Sequence, residues 1–207
     1  MHSRGFNWIV LGVAALGLAG CDNGGGMMGT DAGPDIMLPD AGESACAAPT
    51  GGFGTSQGRN FLPFTLQTCD GTDYSFYGET EGYCDASYTV VSIAAGWCGP
   101  CRMEASLMEE FLVQRYAAHN VRVVVAIIQN NDYEAPDLAF CDGWKTQYGL
   151  TNTIMIDPTQ ETQVYFPAGS LPATLIVDSN GVIVHREYGV SNDLETVRAE
   201  LDNLLGL

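Results

Sequence analysis

Val90-Val91-Ser92-Ile93-Ala94-Ala95-Gly96-Trp97-Cys98-Gly99-Pro100-Cys101-Arg102-Met103-Glu104 runs from an apolar, β-branched segment into the start of an amphipathic one. The run through Ala95 predicts a strand buried on both faces of a sheet, the pattern of parallel arrangements. From Cys101 to Ala118, Met103, Leu107, Met108, Phe111, Leu112 and Tyr116 recur at helical spacing, which predicts a helix with one apolar face. The paired cysteines therefore fall where a strand ends and a helix begins. A thiolate there faces unpaired backbone N–H groups and the positive end of the helix dipole. Its pKa falls, and it becomes nucleophilic near neutral pH.

Outward from this segment, Val121 to Gln129 predicts a second buried strand, completing a βαβ unit with a right-handed crossover. Ala135 to Tyr148 reads as a helix and Thr153 to Ile156 as a short strand stopped by Asp157-Pro158. Thr174 to Asp178 and Val182 to Arg186 flank Ser179-Asn180-Gly181, and Asn-Gly between apolar runs is a hairpin signal. Asn192 to Leu205 reads as a closing helix with Ser191 or Asn192 as N-cap. At the front, Phe61 to Thr68 alternates before the turn signal Asp70-Gly71, predicting an early strand. The fold class is α/β, a central mixed sheet flanked by helices.

The chain of 207 residues carries 8 Lys and Arg against 25 Asp and Glu, a formal charge of −17. So acidic a surface argues against nucleic acid as a partner and against adhesion to anionic lipid. Arg4 followed by the apolar run Trp8 to Ala19 reads as a signal too short to span a bilayer comfortably. Leu18-Ala19-Gly20-Cys21 resembles the bacterial lipobox, implying a signal peptide over residues 1–20 and a lipid on Cys21 that tethers the chain to a membrane. Residues 21–58, rich in Gly, Asp and Pro, read as a flexible spacer. Residues 59–207 have the size of one compact domain with its own core.

Seven cysteines suit an oxidising compartment outside the cytoplasm. With Cys21 assigned to lipid and Cys98 with Cys101 to redox chemistry, Cys46, Cys69, Cys84 and Cys141 remain, and their three possible pairings stay open. Cys69 and Cys84 bracket Asp70 to Tyr83, a segment with the look of a turn and a short helix or hairpin, which favours that bridge and leaves Cys46 for Cys141. A zinc knuckle would need a second ligand pair, and the chain has neither a second CxxC nor paired histidines among His2, His119 and His185.

Taken together, Asn60-Phe61, Phe64-Thr65-Leu66, Asp70-Gly71, Trp97-Cys98-Gly99-Pro100-Cys101-Arg102-Met103-Glu104, Asp157-Pro158 and Leu171-Pro172-Ala173-Thr174-Leu175-Ile176-Val177-Asp178 with Gly181 resemble the thioredoxin-like superfamily, specifically its TlpA/ResA-type membrane-tethered oxidoreductases. The resemblance covers about Asn60 to Gly189. It implies a thioredoxin fold with an N-terminal extension, no cofactor, and an enzyme that exchanges disulfides with protein substrates in the cell envelope while another redox protein recycles its dithiol.

By the same resemblance Cys98 is the attacking nucleophile and Cys101 the resolving cysteine. Pro172 is a cis-proline, and Leu171 supplies backbone to an extended substrate beside Trp97, Gly99 and Pro100. Glu104, three residues after Cys101, shares its helix face and serves proton transfer at the buried thiol. Gly-Pro between the cysteines resembles reducing members rather than strong oxidants. The chain departs from the pattern at Ser92, which stands where thioredoxin has a buried aspartate, and at Ser106, where relatives often have a kinking proline. The copper reading, with His185 as third ligand, fits poorly because such sites use a wider cysteine spacing. A peroxidase reading fails because Gly96-Trp97, not a threonine, precedes Cys98. The remaining alternative is a redox-inert binding module in which the two cysteines form a static bridge.

Overall fold

A computed structural model of the protein describes residues 47–78, 83–167 and 169–207. The expected signal over residues 1–20, the lipidated Cys21 and the spacer up to residue 46 lie outside the described residues. Among those that are described, no helix is long and apolar enough to cross a membrane.

The core strand of the opening segment, β3 (Tyr88–Ala94), is buried from Thr89 onward. It pairs in parallel with β4 (Val121–Ile127), and Val90, Ser92 and Ala94 stand opposite Val123, Val125 and Ile127. Helix α1 (Gly99–Met108) links the two strands, which is the βαβ unit expected from the sequence. Helix α2 (Leu138–Tyr148) starts at the N-cap Asp137, whose carboxylate accepts from Phe140 N at 2.8 Å. It leads to β5 (Thr153–Ile156), parallel to β4. The Asn-Gly hairpin forms as β6 (Ala173–Asp178) and β7 (Ile183–Tyr188), with β6 antiparallel to β3. With β1 (Thr65–Thr68) and β2 (Asp73–Ser75), the sheet order is β2-β1-β5-β4-β3-β6-β7. Helix α3 (Glu195–Leu205) lies beside the segment that follows α1, where Tyr116 Oη donates to Asp202 at 2.7 Å.

Several boundaries differ from the sequence expectation. The apolar periodicity through Tyr116 is real, but the backbone switches from α to π hydrogen bonding over Glu109–Gln114 and ends in a short 3₁₀ turn at Ala117–His119. Ser106 stands inside α1, its hydroxyl donating back to Met103 O at 2.7 Å. The closing helix begins as a 3₁₀ turn at Asn192–Leu194, and Ser191 Oγ accepts from Thr196 N at 3.1 Å. Asp157, fully buried, ends β5 by accepting from Glu161 N and Thr162 N, both at 2.8 Å. The last residues of the expected spacer lie on the body: Gly58 N donates to Ile183 O at 2.8 Å and Arg186 to Thr55 O at 2.6 Å.

The favoured cysteine pairing is overturned. Cys69 is bonded to Cys141, across a sequence separation of 72, and not to Cys84. This also removes Cys141 as a partner for Cys46, while Cys84 is itself disulfide-bonded. The cause lies in the sheet order: Cys69 N donates to Ile154 O on β5 at 3.2 Å, and α2, which carries Cys141, packs beside that strand. Sheet adjacency outweighs closeness in sequence.

Candidate active site

Cys98 is the N-cap of α1, in extended conformation, and its Sγ accepts from Cys101 N at 3.1 Å. Gly99 and Pro100 fill the first helical turn, where proline's missing N–H removes no helical hydrogen bond. Cys98 and Cys101 are joined by a disulfide with their Cα atoms 5.2 Å apart. Both are nearly covered, 4% and 1% exposed, while Gly99 and Pro100 are open to solvent. Approach to the disulfide is therefore over the Gly-Pro turn.

The Leu171–Pro172 peptide is cis. Ala173 pairs with Ile93, so this peptide lies alongside the end of β3 from which the chain departs toward Cys98. Pro172 O accepts from Gly189 N at 2.8 Å. Both Leu171 and Pro172 are buried.

Glu104 is only 3% exposed, a carboxyl group inside the core. Ser92 Oγ donates to its Oε2 at 2.6 Å and Thr174 Oγ1 to its Oε1 at 2.7 Å. Ser92 and Thr174 are register partners on β3 and β6, so their hydroxyls project from one face as a pair, each meeting one carboxylate oxygen. Burial pushes the Glu104 carboxyl up to about 7; the two hydroxyl hydrogen bonds pull the other way, and the Glu187 charge adds to the rise. An acid balanced there is half-protonated near neutrality, the condition for both giving and taking a proton.

Trp97 is half-buried, its indole N–H donating to Gln129 Oε1 at 3.0 Å. Its ring is stacked against Tyr133, with centroids 4.9 Å apart and planes at 16°. Tyr133 is 64% exposed and has left-handed backbone, φ 65°. Gly96 lets the loop carrying Tyr133 approach: a Cβ there would lie 2.8 Å from Asn130 C and from Asn131 N. Sequence reasoning missed Tyr133, Gln129 and Thr174. Tyr133 sits in a polar loop without periodicity, and Thr174 looked like one more β-branched strand residue.

His185 lies on β7, 3.5 Å from Glu187, and His119 packs edge-on to Tyr116; neither is placed at the cysteines. A cavity of about 780 Å³ opens between the β1–β2 hairpin and the α2–β5 region, lined by Cys69, Lys145 and Asn152 rather than by the Cys98–Cys101 pair.

A strand-to-helix CxxC, a cis-proline beside it and a buried acid on the same helix invite comparison with known proteins. Residues 58–205 match the redoxin family model. The chain belongs to the redoxin family. The thiol-disulfide oxidoreductase ResA of Bacillus anthracis is 29% identical over 93 residues, 45% of this chain and 50% of that protein. The thiol:disulfide interchange protein CycY of Rhizobium leguminosarum bv. viciae is 24% identical over 115 residues, 56% of this chain and 57% of that protein. The chain thus spans about half the length of the curated relatives it matches. In fold, it is similar to a thiol:disulfide interchange protein of the thioredoxin family from Chlorobium tepidum TLS, with a TM-score of 0.54 and 17% identity over 74% of this chain and 97% of that one. The fold of this redoxin is accordingly thioredoxin-like.

Proposed function

We propose that this redoxin is a thiol–disulfide oxidoreductase that exchanges disulfides with protein substrates through Cys98 and Cys101. The observation that carries this reading is the placement of the pair: Cys98 caps α1 and receives the Cys101 N–H, so a thiolate at Cys98 is stabilised by the helix terminus. In the reducing direction, the Cys98 thiolate attacks a substrate disulfide and displaces one substrate thiolate, leaving a mixed disulfide. Cys101 gives its proton to ionised Glu104, attacks Cys98 Sγ and releases the second substrate thiolate. The enzyme ends oxidised, the substrate reduced by two electrons, and a partner dithiol restores Cys98 and Cys101. Leu171 and Pro172 offer backbone beside the disulfide, while Trp97, Gly99 and Pro100 form the rim a substrate meets.

Gly-Pro between the cysteines supports net reduction of substrates, since the intervening dipeptide tunes thiolate stability. The lipobox-like Leu18-Ala19-Gly20-Cys21 and the cysteine count support a lipid-anchored location in the cell envelope. Trapping tests the reading. The full chain bearing Cys101→Ser should accumulate a mixed disulfide on Cys98 with a reducible protein substrate, and Cys98→Ser should not. No adduct, together with Cys98 alkylation no faster than that of a free cysteine, would leave the pair a static bridge.

A further inference from the structure

On the face of the sheet that meets α1, register partners place Val125, Ser92, Thr174 and Glu187 in one row across β4, β3, β6 and β7. His185, two residues before Glu187 on the same strand, shares that face. The flanking row, Val123, Val90, Ile176 and His185, is apolar until β7. A polar line therefore runs from the centre of the sheet to its edge, through the two hydroxyls that touch Glu104 and out to Glu187 and His185. Both outer side chains are mostly covered but reach solvent, 17% and 19% exposed, and His185 Nε2 stands 3.5 Å from Glu187 Oε2. That nitrogen is itself covered and makes no hydrogen bond, so Glu187 is the charged group beside it.

Resting on the oxidoreductase reading above, we propose that Glu187 and His185 are positioning residues: the solvent-side station through which buried Glu104 exchanges the proton it trades with Cys101. Glu104 is too buried to meet bulk water itself. Ser92 on β3 and Thr174 on β6 touch it, the Glu187 charge acts on it from β7, and Cys101 stands three residues before it on its own helix. Val125 on β4 contributes no charge. Arg102, on α1, is exposed and directed to Gly96 O at 3.4 Å. The Asn192–Leu194 turn packed near α1 carries only Asp193, also exposed. The β7 pair thus lies on the Glu104 face at the edge of the sheet, its side chains 19% and 17% exposed. When Cys101 gives up its proton, Glu104 holds it, and the proton then leaves through the β7 pair. No electron moves in this step.

The test compares the full chain with Glu187→Gln, His185→Gln and Glu104→Gln, measuring reduction of a fluorescent mixed-disulfide peptide against pH, in H₂O and D₂O, with and without added imidazole. We expect Glu187→Gln and His185→Gln to slow resolution roughly three- to tenfold near neutral pH, less than the ~10²-fold loss of a directly acting acid–base group. The slowed variants should show a larger solvent isotope effect and recover with imidazole, a response that a packing defect would not give. Unchanged rates and profiles in both β7 variants, with Glu104→Gln still impaired, would overturn the station. Slowing that imidazole does not restore would overturn it too, even in a variant whose thermal unfolding is unaltered. Absence of turnover in the parent chain would instead sink the oxidoreductase reading beneath it.

Discussion

Replacing Glu104 with glutamine should change how stability depends on pH in a direction opposite to that of most carboxylates. Burial raises the Glu104 carboxyl from 4.5 to about 7 in the folded protein. In the unfolded chain it titrates near the ordinary glutamate value. Between those two pH values the native state holds a proton that the unfolded state has released, so stability falls as pH rises. The contribution is complete below about 4.5 and gone above about 7. That gap, at roughly 1.4 kcal/mol for each tenfold change, amounts to about 3 kcal/mol. Glutamine keeps the volume: its carbonyl accepts from one hydroxyl of Ser92 or Thr174, and its NH₂ donates to the other. Urea unfolding of the oxidised protein, in which Cys98 and Cys101 do not titrate, should show the parent losing about 3 kcal/mol more than Glu104→Gln from acid to neutral pH. Above neutrality the variant should be the more stable of the two. Parallel pH curves for the two proteins would refute the argument, because all other groups cancel in the difference.

Three further outcomes follow from the packing. Removing the Cys69–Cys141 bridge by a double serine substitution frees a loop of 72 residues and should cost about 4 kcal/mol in urea unfolding, with Cys98 trapping retained. Gly96→Ala drives a Cβ against the backbone of Asn130 and Asn131; a lower thermal midpoint, equivalent to roughly 1–3 kcal/mol, should accompany slower Cys98 alkylation. Tyr133→Ala unstacks Trp97; indole fluorescence should shift, stability should drop by about 0.5–1.5 kcal/mol, and KM for a protein disulfide should rise while kcat holds.

The elements legible from sequence were those whose local and tertiary preferences agree. Tyr88 to Ala94 and Val121 to Ile127 are β-branched and buried, so propensity and burial point the same way. Asn180-Gly181 fixes its hairpin because Gly181 takes φ 79°, which the following β7 strand needs to turn back. Strand β2 was legible only as one of two readings of Asp70 to Tyr83, a short helix or a hairpin, since it has only three residues, of which Tyr74 alone is buried. The π segment after α1 was invisible for a different reason. Apolar spacing reports which side of a helix faces the core, and Leu112 and Tyr116 stay buried whether the backbone bonds i to i+4 or i to i+5. In the site, the cysteines, Glu104 and Pro172 carry motif spacing, whereas Thr174 and Tyr133 acquire their places only through sheet register and a left-handed loop residue.

Read on sequence alone, Ser92 is a loss of the buried acid that thioredoxin keeps on this strand. In the fold the acid arrives from the other side. Glu104 descends from α1 onto Ser92, and the strand supplies a hydroxyl donor where it would otherwise supply the carboxylate. A second donor, Thr174, follows from the β3–β6 register. This division matters for the chemistry. A carboxyl buried with no donor would stay protonated, and one buried against a guanidinium would stay ionised; neither could cycle. Two neutral hydroxyls offset part of the desolvation without adding charge, which leaves Glu104 near the pH at which it must exchange protons. Deleting one donor should therefore move the acid further up. In Ser92→Ala or Thr174→Val the pH at which the Glu104-dependent loss of stability is half complete should rise relative to the parent. If it instead stays fixed or falls, the hydroxyls are not what balances the burial.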